Sequence, residues 1–292
     1  MNIKGIILAG GHGVRLFPHT LSINKHLLPI YDKPMIFYSL SVLMLAKIKN
    51  ILLITKEKDI EKYQHLLGDG SRLGIKINYE VQNEPRGICE AFLIGKKFIG
   101  NSSVCLILGD NILYGDGLIQ SLEEAKKIVT KKKKAVIFGY KVNNPKEFGV
   151  IEFGGDRLKK IVEKPKKPFS NLASVGLYFY PNSVKKISNS IKPSKRNELE
   201  ITDLNNIFIK RKKAHLIQFG RGTVWYDAGS HENLLRVSNL IYNIQNRNIS
   251  KISCLEEIAL KNKWIDKQEL KKSFKFYNSN YKKYLKKLVY EN

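Results

Sequence analysis

Cysteine is scarce in this chain, and long apolar runs are missing. The 292 residues include three cysteines, Cys89, Cys105 and Cys254, which lie far apart in sequence. Their spacing fits neither a disulfide scaffold nor a zinc module, and isolated thiols are typical of a reducing compartment such as the cytoplasm. No apolar run approaches the roughly 18 residues of a membrane span, and residues 1–8 lack the pattern of a secretory signal. We therefore expect a cytoplasmic protein with no membrane segment.

Acidic residues are also few. Twenty-six Asp and Glu stand against 51 Lys and Arg, which gives a formal charge of +25. Such an excess raises nucleic-acid binding as a hypothesis. However, the excess is mostly scattered Lys, and the dense run at 131–134 lies at a predicted helix end, where Lys is favourable. No basic stripe is interleaved with aromatic residues as single-strand binders require. We attribute the charge to compositional drift and expect no nucleic-acid partner.

Histidine offers no catalytic pattern. The six histidines show neither metal-ligand nor triad spacing, so we assign none of them a catalytic role: His12, His19, His26, His65, His215 and His231. The same reasoning leaves no case for a Ser/His/Asp nucleophile.

Strand and helix patterns alternate through the first half of the chain. Short apolar runs at 4–8, 50–54, 76–81, 103–108 and 135–142 are separated by helical patterns, including 34–46 and 88–98. From about residue 149 short β segments follow, and after residue 229 the pattern is helical. This order predicts an α/β fold with a Rossmann-like mixed, mostly parallel sheet flanked by helices, with inserted β elements and a helical C-terminal extension. Ligands of such sheets bind beyond the carboxyl ends of the strands.

A glycine-rich loop follows the first predicted strand directly. Gly10, Gly11 and Gly13 would let the backbone approach a phosphate chain, and Arg15 would add positive charge. The loop is neither a Walker A loop nor a Gly-x-Gly-x-x-Gly turn. By itself it fits a phosphate-binding loop and a purely steric turn equally well.

Two carboxylates stand in comparable settings. Asp110 ends a buried strand, where it could hold Mg²⁺ or simply form a turn, and Asp227 follows another apolar segment before a glycine. Lys25 and Lys164 are candidate phosphate ligands, although the residues alone favour a surface lysine in each case, because the chain is rich in Lys. Only the fold could bring these residues together.

Taken in order, these segments resemble the glucose-1-phosphate thymidylyltransferases, sugar nucleotidyltransferases that make dTDP-glucose for the rhamnose pathway. The resemblance extends from residue 3 nearly to the C-terminus, and its motifs lie at 8–15, 25–35, 67–71, 108–115, 163–165, 176–180, 198–203 and 254–259. It implies that dTTP and α-D-glucose 1-phosphate react to give dTDP-glucose and pyrophosphate.

The resemblance also implies roles for individual residues. The nucleotide would be bound by Leu8, Gly10, Gly11, Gly13, Arg15, Lys25, Gln82 and Gly87, with Gln82 and Gly87 at the thymine edge. The sugar phosphate would be bound by Asn111, Gly149, Glu163, Lys164, Val175 and Arg196. Asp110 and Asp227 would hold Mg²⁺, and the catalytic residues would be Arg15, Lys25, Asp110 and Lys164.

The implied chemistry needs no protein nucleophile. An oxygen of the sugar phosphate, already anionic at neutral pH, attacks the α-phosphorus in line, so positioning and charge neutralisation suffice. Two alternatives remain open. One is a related enzyme that uses UTP, CTP or ATP, and the other is an inactive subunit that only binds nucleotide sugars.

The chain departs from the family pattern at several positions. Val14 stands for a Thr beside the phosphates, His26 for a Gln and Arg86 for a common Asp. Phe148 stands for a Tyr, and Val175 for a Thr. Asp116 replaces a His in a segment where family members bind inhibitory dTDP-sugars, so we expect weak or altered feedback by dTDP-rhamnose, which initial rates would detect.

For the organisation of the chain, the expectation is one catalytic domain over 1–240. It would have a nucleotide-binding part at 1–115 and a sugar-phosphate part at about 116–230. Residues 241–292 would form a helical extension with an interface or regulatory role. The resemblance further implies a homo-oligomer, commonly a homotetramer.

Overall fold

The strands form a central sheet with small additions. In the computed structural model, which describes residues 2–155, 157–248 and 250–291, the strands are β1 (Ile3–Leu8), β2 (Pro29–Ile30), β3 (Lys33–Pro34), β4 (Asn50–Thr55), β5 (Lys76–Val81), β6 (Ser103–Leu108), β7 (Asn111–Gly115), β8 (Ala135–Lys141), β9 (Gly149–Gly154), β10 (Arg157–Glu163), β11 (Leu172–Tyr180), β12 (Ala214–Gln218) and β13 (Thr223–Asp227).

Helices connect and cover these strands. They are α1 (Ile36–Leu45), α2 (Ile60–Leu67), α3 (Glu90–Ile94), α4 (Lys96–Ile99), α5 (Leu118–Lys127), α6 (Val184–Ser188), α7 (Ile201–Lys210), α8 (His231–Arg247), α9 (Leu255–Lys261), α10 (Lys267–Lys272) and α11 (Asn280–Tyr290). Among the described helices, none is both long enough and apolar enough to cross a membrane.

The central sheet is mixed and mostly parallel, as the strand and helix alternation predicts. Its order is β10-β9-β11-β6-β1-β4-β5, with β8 against β11 and β12 against β8. Strands β6, β1, β4 and β5 are parallel, whereas β11 runs antiparallel to β6 and β8. Parallel neighbours end at the same edge, so the loops after β1, β4 and β6 lie side by side.

Each face of the sheet is covered by an apolar layer. Successive residues of β1 point to opposite faces, so Ile7 joins the layer under α1, α5 and α9 while Ile6 joins the layer under α3, α6 and α7. A third cluster packs α8 against Ile30, Tyr38 and Ile112. The two-sided burial explains why the parallel strands read as continuous apolar runs in the sequence.

The C-terminal helices are part of the main core. Leu255, Leu270, Leu285 and Leu288 lie in the same apolar cluster as Leu40 of α1. The helical region after residue 241 is therefore present and packed against the sheet's helices, while its interface or regulatory role stays a prediction.

Three local predictions need correction. Pro34 lies in the short strand β3, and α1 begins two residues later at Ile36, because Lys33 and Pro34 pair with Pro29 and Ile30. The helix expected over 88–98 is split at Gly95 into α3 and α4. The strand β7 after Asp110 was not expected, because the turn residues Gly109 and Asn111 indicated a loop.

Candidate active site

The loops that follow β1, β5 and β6 enclose a cavity at the carboxyl edge of the sheet. The Gly109 N–H donates to the Leu8 carbonyl over 3.0 Å, and the Gln82 N–H donates to the Thr55 carbonyl over 2.7 Å. These bonds hold the three loops together around a cavity of about 200 Å³. It is lined by Leu8, Gly11, Lys25, His26, Gln82, Pro85, Gly87, Ile88, Leu108, Asp110 and Glu198.

Two glycines, Gly87 in the cavity wall and Gly10 in the adjacent loop, are in close contact with other residues. A Cβ on Gly10 would lie 2.3 Å from Oε1 of Gln82, so the amide rests directly on the loop backbone. Gly87 has φ of 102° and a Cβ there would lie 2.5 Å from the Leu199 backbone nitrogen. The glycine-rich loop therefore has a steric reason to contain glycine as well as any phosphate-binding role.

Asp110 and Asp227 are brought together by the pairing of β7 with β13. Asp227 lies opposite Asn111 in that ladder, and the Ala228 N–H donates to the Asp110 carbonyl over 3.0 Å. Lys25 forms an ion pair with Asp110, and the Arg15 guanidinium lies 3.7 Å from the Asp227 carboxylate. Residues from four distant segments thus form one charged cluster.

The two carboxylates have different electrostatic environments. Burial raises the pKa of Asp227 to about 6, and the negative charge of Asp110 adds to the increase, while Lys25 and Arg15 oppose it. Burial would also raise the pKa of Asp110, but the adjacent Lys25 ammonium holds it below its usual range. The cluster is therefore a like-charged carboxylate pair that an added cation would stabilise.

The neighbouring His26 is buried and uncharged. Burial, reinforced by the charge of Lys25, lowers its pKa to about 3, and its Nδ1 lies 2.9 Å from the Asn24 side-chain oxygen. A neutral imidazole held in this way positions the loop, and nothing here gives it a proton-transfer role.

The carboxylate pair suits a divalent cation that shares its ligands with a substrate. Within the described residues, no three His, Cys, Asp or Glu side chains are grouped to hold a metal by themselves. Mg²⁺ commonly takes only one or two carboxylates and completes its shell with phosphate oxygens and water. The buried pair with its mutual repulsion therefore fits such an ion, and nucleotidyltransferases generally use a divalent metal.

The phosphate-loop residues lie next to this pair. Gly11 and Gly13 flank the Lys25 side chain, and the Thr20 hydroxyl donates to the Gly13 carbonyl over 2.7 Å. Arg15 remains 61% exposed, so it can reach a ligand without losing buried contacts.

Asn111 links the carboxylate pair to the predicted sugar region. Its side-chain oxygen accepts from the Gly176 N–H over 3.0 Å and from the Trp225 indole over 2.7 Å. Its amide donates to Asp110 over 3.1 Å. A buried Asn with this many partners fixes the position of Asp110 relative to β11 and β13.

Glu163 and Gly149 lie opposite each other where β9 pairs with β10. The Glu163 carboxylate accepts from the Thr202 hydroxyl over 2.7 Å, and a Cβ on Gly149 would lie 3.2 Å from that carboxylate. Val175 is fully buried in the core below, and no part of it is exposed to the open space beside Glu163. This group has the oxygen acceptors that bind sugar hydroxyls.

Arg196 is held by a set of glutamates. It donates two hydrogen bonds of 2.9 Å to Glu200 and lies 3.3 Å from Glu198 and 3.6 Å from Glu163. Burial would lower the pKa of Arg196, but these carboxylates raise it above its usual value. Lys164 is exposed beside this group, and its backbone N–H donates to the Phe148 carbonyl over 3.0 Å.

Several residues of the site were not found from the sequence. Glu198, Glu200 and Thr202 lie in the 198–203 motif but were assigned no role there, yet Glu198 lines the cavity and Glu200 holds Arg196. Trp225 could not be found from the sequence, because its contact with Asn111 joins segments far apart in the chain. Glu90 could not be found either, because its role depends on which face of the short helix α3 is buried.

Comparison with known proteins identifies the family of this chain. A family model described as nucleotidyl transferase matches residues 4–243. The glucose-1-phosphate thymidylyltransferase of Neisseria meningitidis is 46% identical over 289 residues, covering 98% of this chain and 99% of that protein.

Solved structures share the fold. A Bacillus anthracis protein, described provisionally as a glucose-1-phosphate thymidylyltransferase and crystallised with sucrose, superposes with a TM-score of 0.75 at 37% identity, covering 82% of this chain and 94% of that one. A UDP-glucose pyrophosphorylase complexed with UDP-glucose gives a TM-score of 0.72 at 28% identity, covering 84% and 100%. With these matches over nearly its whole length, the chain belongs to the nucleotidyl transferase family and, within it, to the glucose-1-phosphate thymidylyltransferases.

Proposed function

We propose that this protein converts dTTP and α-D-glucose 1-phosphate to dTDP-glucose and pyrophosphate. The observation that carries the proposal is the cluster of Asp110, Asp227, Lys25 and Arg15, of which Lys25 and Asp110 line the cavity. Cations and a carboxylate pair at one point suit a reaction in which negative charge moves between phosphates.

In this proposal the protein contributes positioning and charge. The phosphate loop, with Leu8, Gly10, Gly11 and Gly13, would hold the triphosphate, while Gln82 and Gly87 would bind the base. Lys25 and Arg15 would neutralise the departing pyrophosphate. Lys25 is already buried against Asp110, so its charge acts in a site with little water, where it is stronger than at the surface.

The sugar phosphate would be held by the second group. Asn111, Gly149, Glu163 and Val175 would line the glucose pocket, and Lys164 and Arg196 would bind the phosphate of the sugar. Because the phosphate oxygen is already anionic, attack on the α-phosphorus needs alignment and no general base. Asp110 and Asp227 would hold Mg²⁺, which when bound would neutralise phosphate charge.

UTP is a second candidate nucleotide. The structural likeness to a UDP-glucose pyrophosphorylase favours it, and uracil differs from thymine by one methyl group. A methyl contact contributes only about 1–3 kcal/mol, so we expect dTTP to lead with measurable use of UTP.

We also infer the cellular compartment, the domain division and the oligomeric state. The described cysteines are free and buried, which suits the reducing cytoplasm. The domain division proposed above, with a nucleotide part at 1–115 and a sugar-phosphate part at about 116–230, would place the reaction at their junction. A homotetramer rests on family resemblance alone.

Pyrophosphate release tests the proposal directly. The purified protein is incubated with glucose 1-phosphate, Mg²⁺ and one of dTTP, UTP, CTP, ATP or GTP. Fastest release with dTTP, abolished by a chelator, is the expected result. Release with a different nucleotide would reassign the substrate, and no release with any of the five would favour an inactive binding subunit.

A further inference from the structure

Glu90 is a buried carboxylate that the proposed reaction does not use. It is 5% exposed at the start of α3 and touches the base side of the cavity through Gln82. The Gln82 amide nitrogen donates to Glu90 Oε2 over 2.8 Å. Arg86 donates to Glu90 Oε1 through Nε over 2.9 Å, and its terminal nitrogen forms an ion pair with the same oxygen at 2.7 Å.

These contacts fix which way round the Gln82 amide lies. An ionised carboxylate only accepts hydrogen bonds, so the group that Gln82 turns toward Glu90 must be its NH₂. Its carbonyl Oε1 then lies on Gly10, in the loop beside the cavity. Within the residues that the structure describes, no side chain or backbone N–H donates to that oxygen. Gln82 therefore offers a free acceptor where a base would bind.

We propose that the Glu90–Arg86 pair is a positioning device that makes this pocket select bases with an imide N–H. The inference rests on the proposed function, in that it takes the cavity as the base site. Thymine and uracil carry a donor at N3, which matches the Gln82 acceptor. Cytosine has an acceptor at N3, which would face the Gln82 oxygen with no proton between them.

Because Arg86 is bound to Glu90, the orientation of the Gln82 amide can be tested by Glu90→Gln, which replaces one carboxylate oxygen by an NH₂ group. The Arg86 guanidinium has two close contacts with Oε1, whereas the Arg86 backbone N–H reaches Oε2 only over 3.3 Å and already donates to the Glu84 carbonyl over 2.9 Å. In Glu90→Gln we therefore expect the new amide to present its oxygen to the guanidinium and its NH₂ to Gln82. Gln82 must then turn its own oxygen toward position 90 and its NH₂ toward the base. The exchange thus reverses the hydrogen-bonding character of the pocket while it preserves the shape of every side chain.

The experiment measures binding of dTTP and dCTP by titration calorimetry to the full-length protein, with pyrophosphate release in parallel. We expect the wild type to prefer dTTP by on the order of 100-fold and Glu90→Gln to reduce that ratio by about tenfold or more. Glu80→Gln, an exposed glutamate on β5, is the matched control and should keep the wild-type ratio.

Each result decides the matter. Equal affinity of the wild type for dTTP and dCTP would overturn the inference without any variant, and so would an unchanged ratio in folded Glu90→Gln. If Glu90 had only a structural role, Glu90→Gln would weaken the binding of dTTP and dCTP by the same factor, and this result would also overturn the inference. If the wild type discriminates in binding yet releases no pyrophosphate, the proposed reaction fails and the base selection stands. If neither nucleotide binds, the cavity is not the base site, and both the proposed function and this inference are overturned.

Discussion

At the residue scale, Asp110 combines more functions than any other side chain of the site. It is paired with Lys25, hydrogen-bonded by Asn111 and adjacent to Asp227. The neutral amide of Asn has nearly the same shape as the Asp carboxylate, so Asp110→Asn tests whether the proposed roles depend on its charge.

Asp110→Asn should lower the turnover of pyrophosphate release by about 10²-fold or more, because the proposed metal ligand and the partner of Lys25 are lost together. Asp266→Asn, at the start of α10, is the control, since Asn can still cap that helix. Near-normal turnover of Asp110→Asn at saturating Mg²⁺ would remove this residue from the metal site.

A substitution of Lys164 tests the proposed glucose 1-phosphate site separately from the nucleotide site. Lys164→Ala should raise the KM for glucose 1-phosphate by about 10-fold or more, because a charge-assisted hydrogen bond to phosphate is lost, and leave the KM for dTTP nearly unchanged. Lys166→Ala removes an exposed lysine two residues away and serves as the control. Equal effects of the two variants would assign Lys164 to the solvated surface.

At the element scale, Asp32 connects the β2–β3 hairpin to the C-terminal region. Its carboxylate forms ion pairs with Lys33 and Lys251 and accepts from the Gln245 amide over 3.1 Å. Burial would raise the pKa of Asp32, but these cations hold it below its usual value. The hairpin therefore depends on α8 and on the segment before α9.

Asp32→Asn should reduce the free energy of unfolding by about 3 kcal/mol at pH 7, because it leaves the buried Lys33 ammonium without its partner. The pKa of Asp32 is lower in the folded state than in the unfolded state, where it is about 4, so the ionised carboxylate stabilises the fold above that pH. This stabilisation is lost as the pH falls through the folded-state pKa. The difference in free energy of unfolding between wild type and variant, measured with urea, should therefore decrease below about pH 4. A constant difference down to pH 2 would exclude the charge as its cause. Glu61→Gln, an exposed change on α2, is the control.

At the scale of the whole molecule, one apolar cluster joins the sheet, α1 and the C-terminal helices. An extension that folded independently would have its own core, whereas Leu285 of α11 is fully buried within the shared one. We therefore expect a single cooperative unfolding unit.

Leu285→Ala should destabilise the protein by about 2–5 kcal/mol, and thermal inactivation of pyrophosphate release should shift together with global unfolding. Leu235→Ala changes a leucine that is 63% exposed and should alter stability by less than about 0.5 kcal/mol. Two separate calorimetric transitions, with the active site unaffected by the Leu285 change, would contradict the single unit.

Much of the fold could be predicted because the signals are local. The apolar run of β6 and the alternation with helices follow from burial on both faces, and β5 and β6 have the predicted bounds. The helix expected over 34–46 began late because pairing of Lys33 and Pro34 with β2 is a contact that no periodicity reveals. The strand β7 was missed because its partner, β13, lies over a hundred residues away.

The sequence alone determined the fold class, the family resemblance and the inventory of charged groups, since these depend on residue type and spacing. Only the tertiary structure decided which charges meet. The β7–β13 ladder places Asp227 beside Asp110, and the buried face of α3 directs Glu90 to Gln82. Such contacts join segments that are distant along the chain, and their energies depend on burial and orientation, which are properties of the folded molecule.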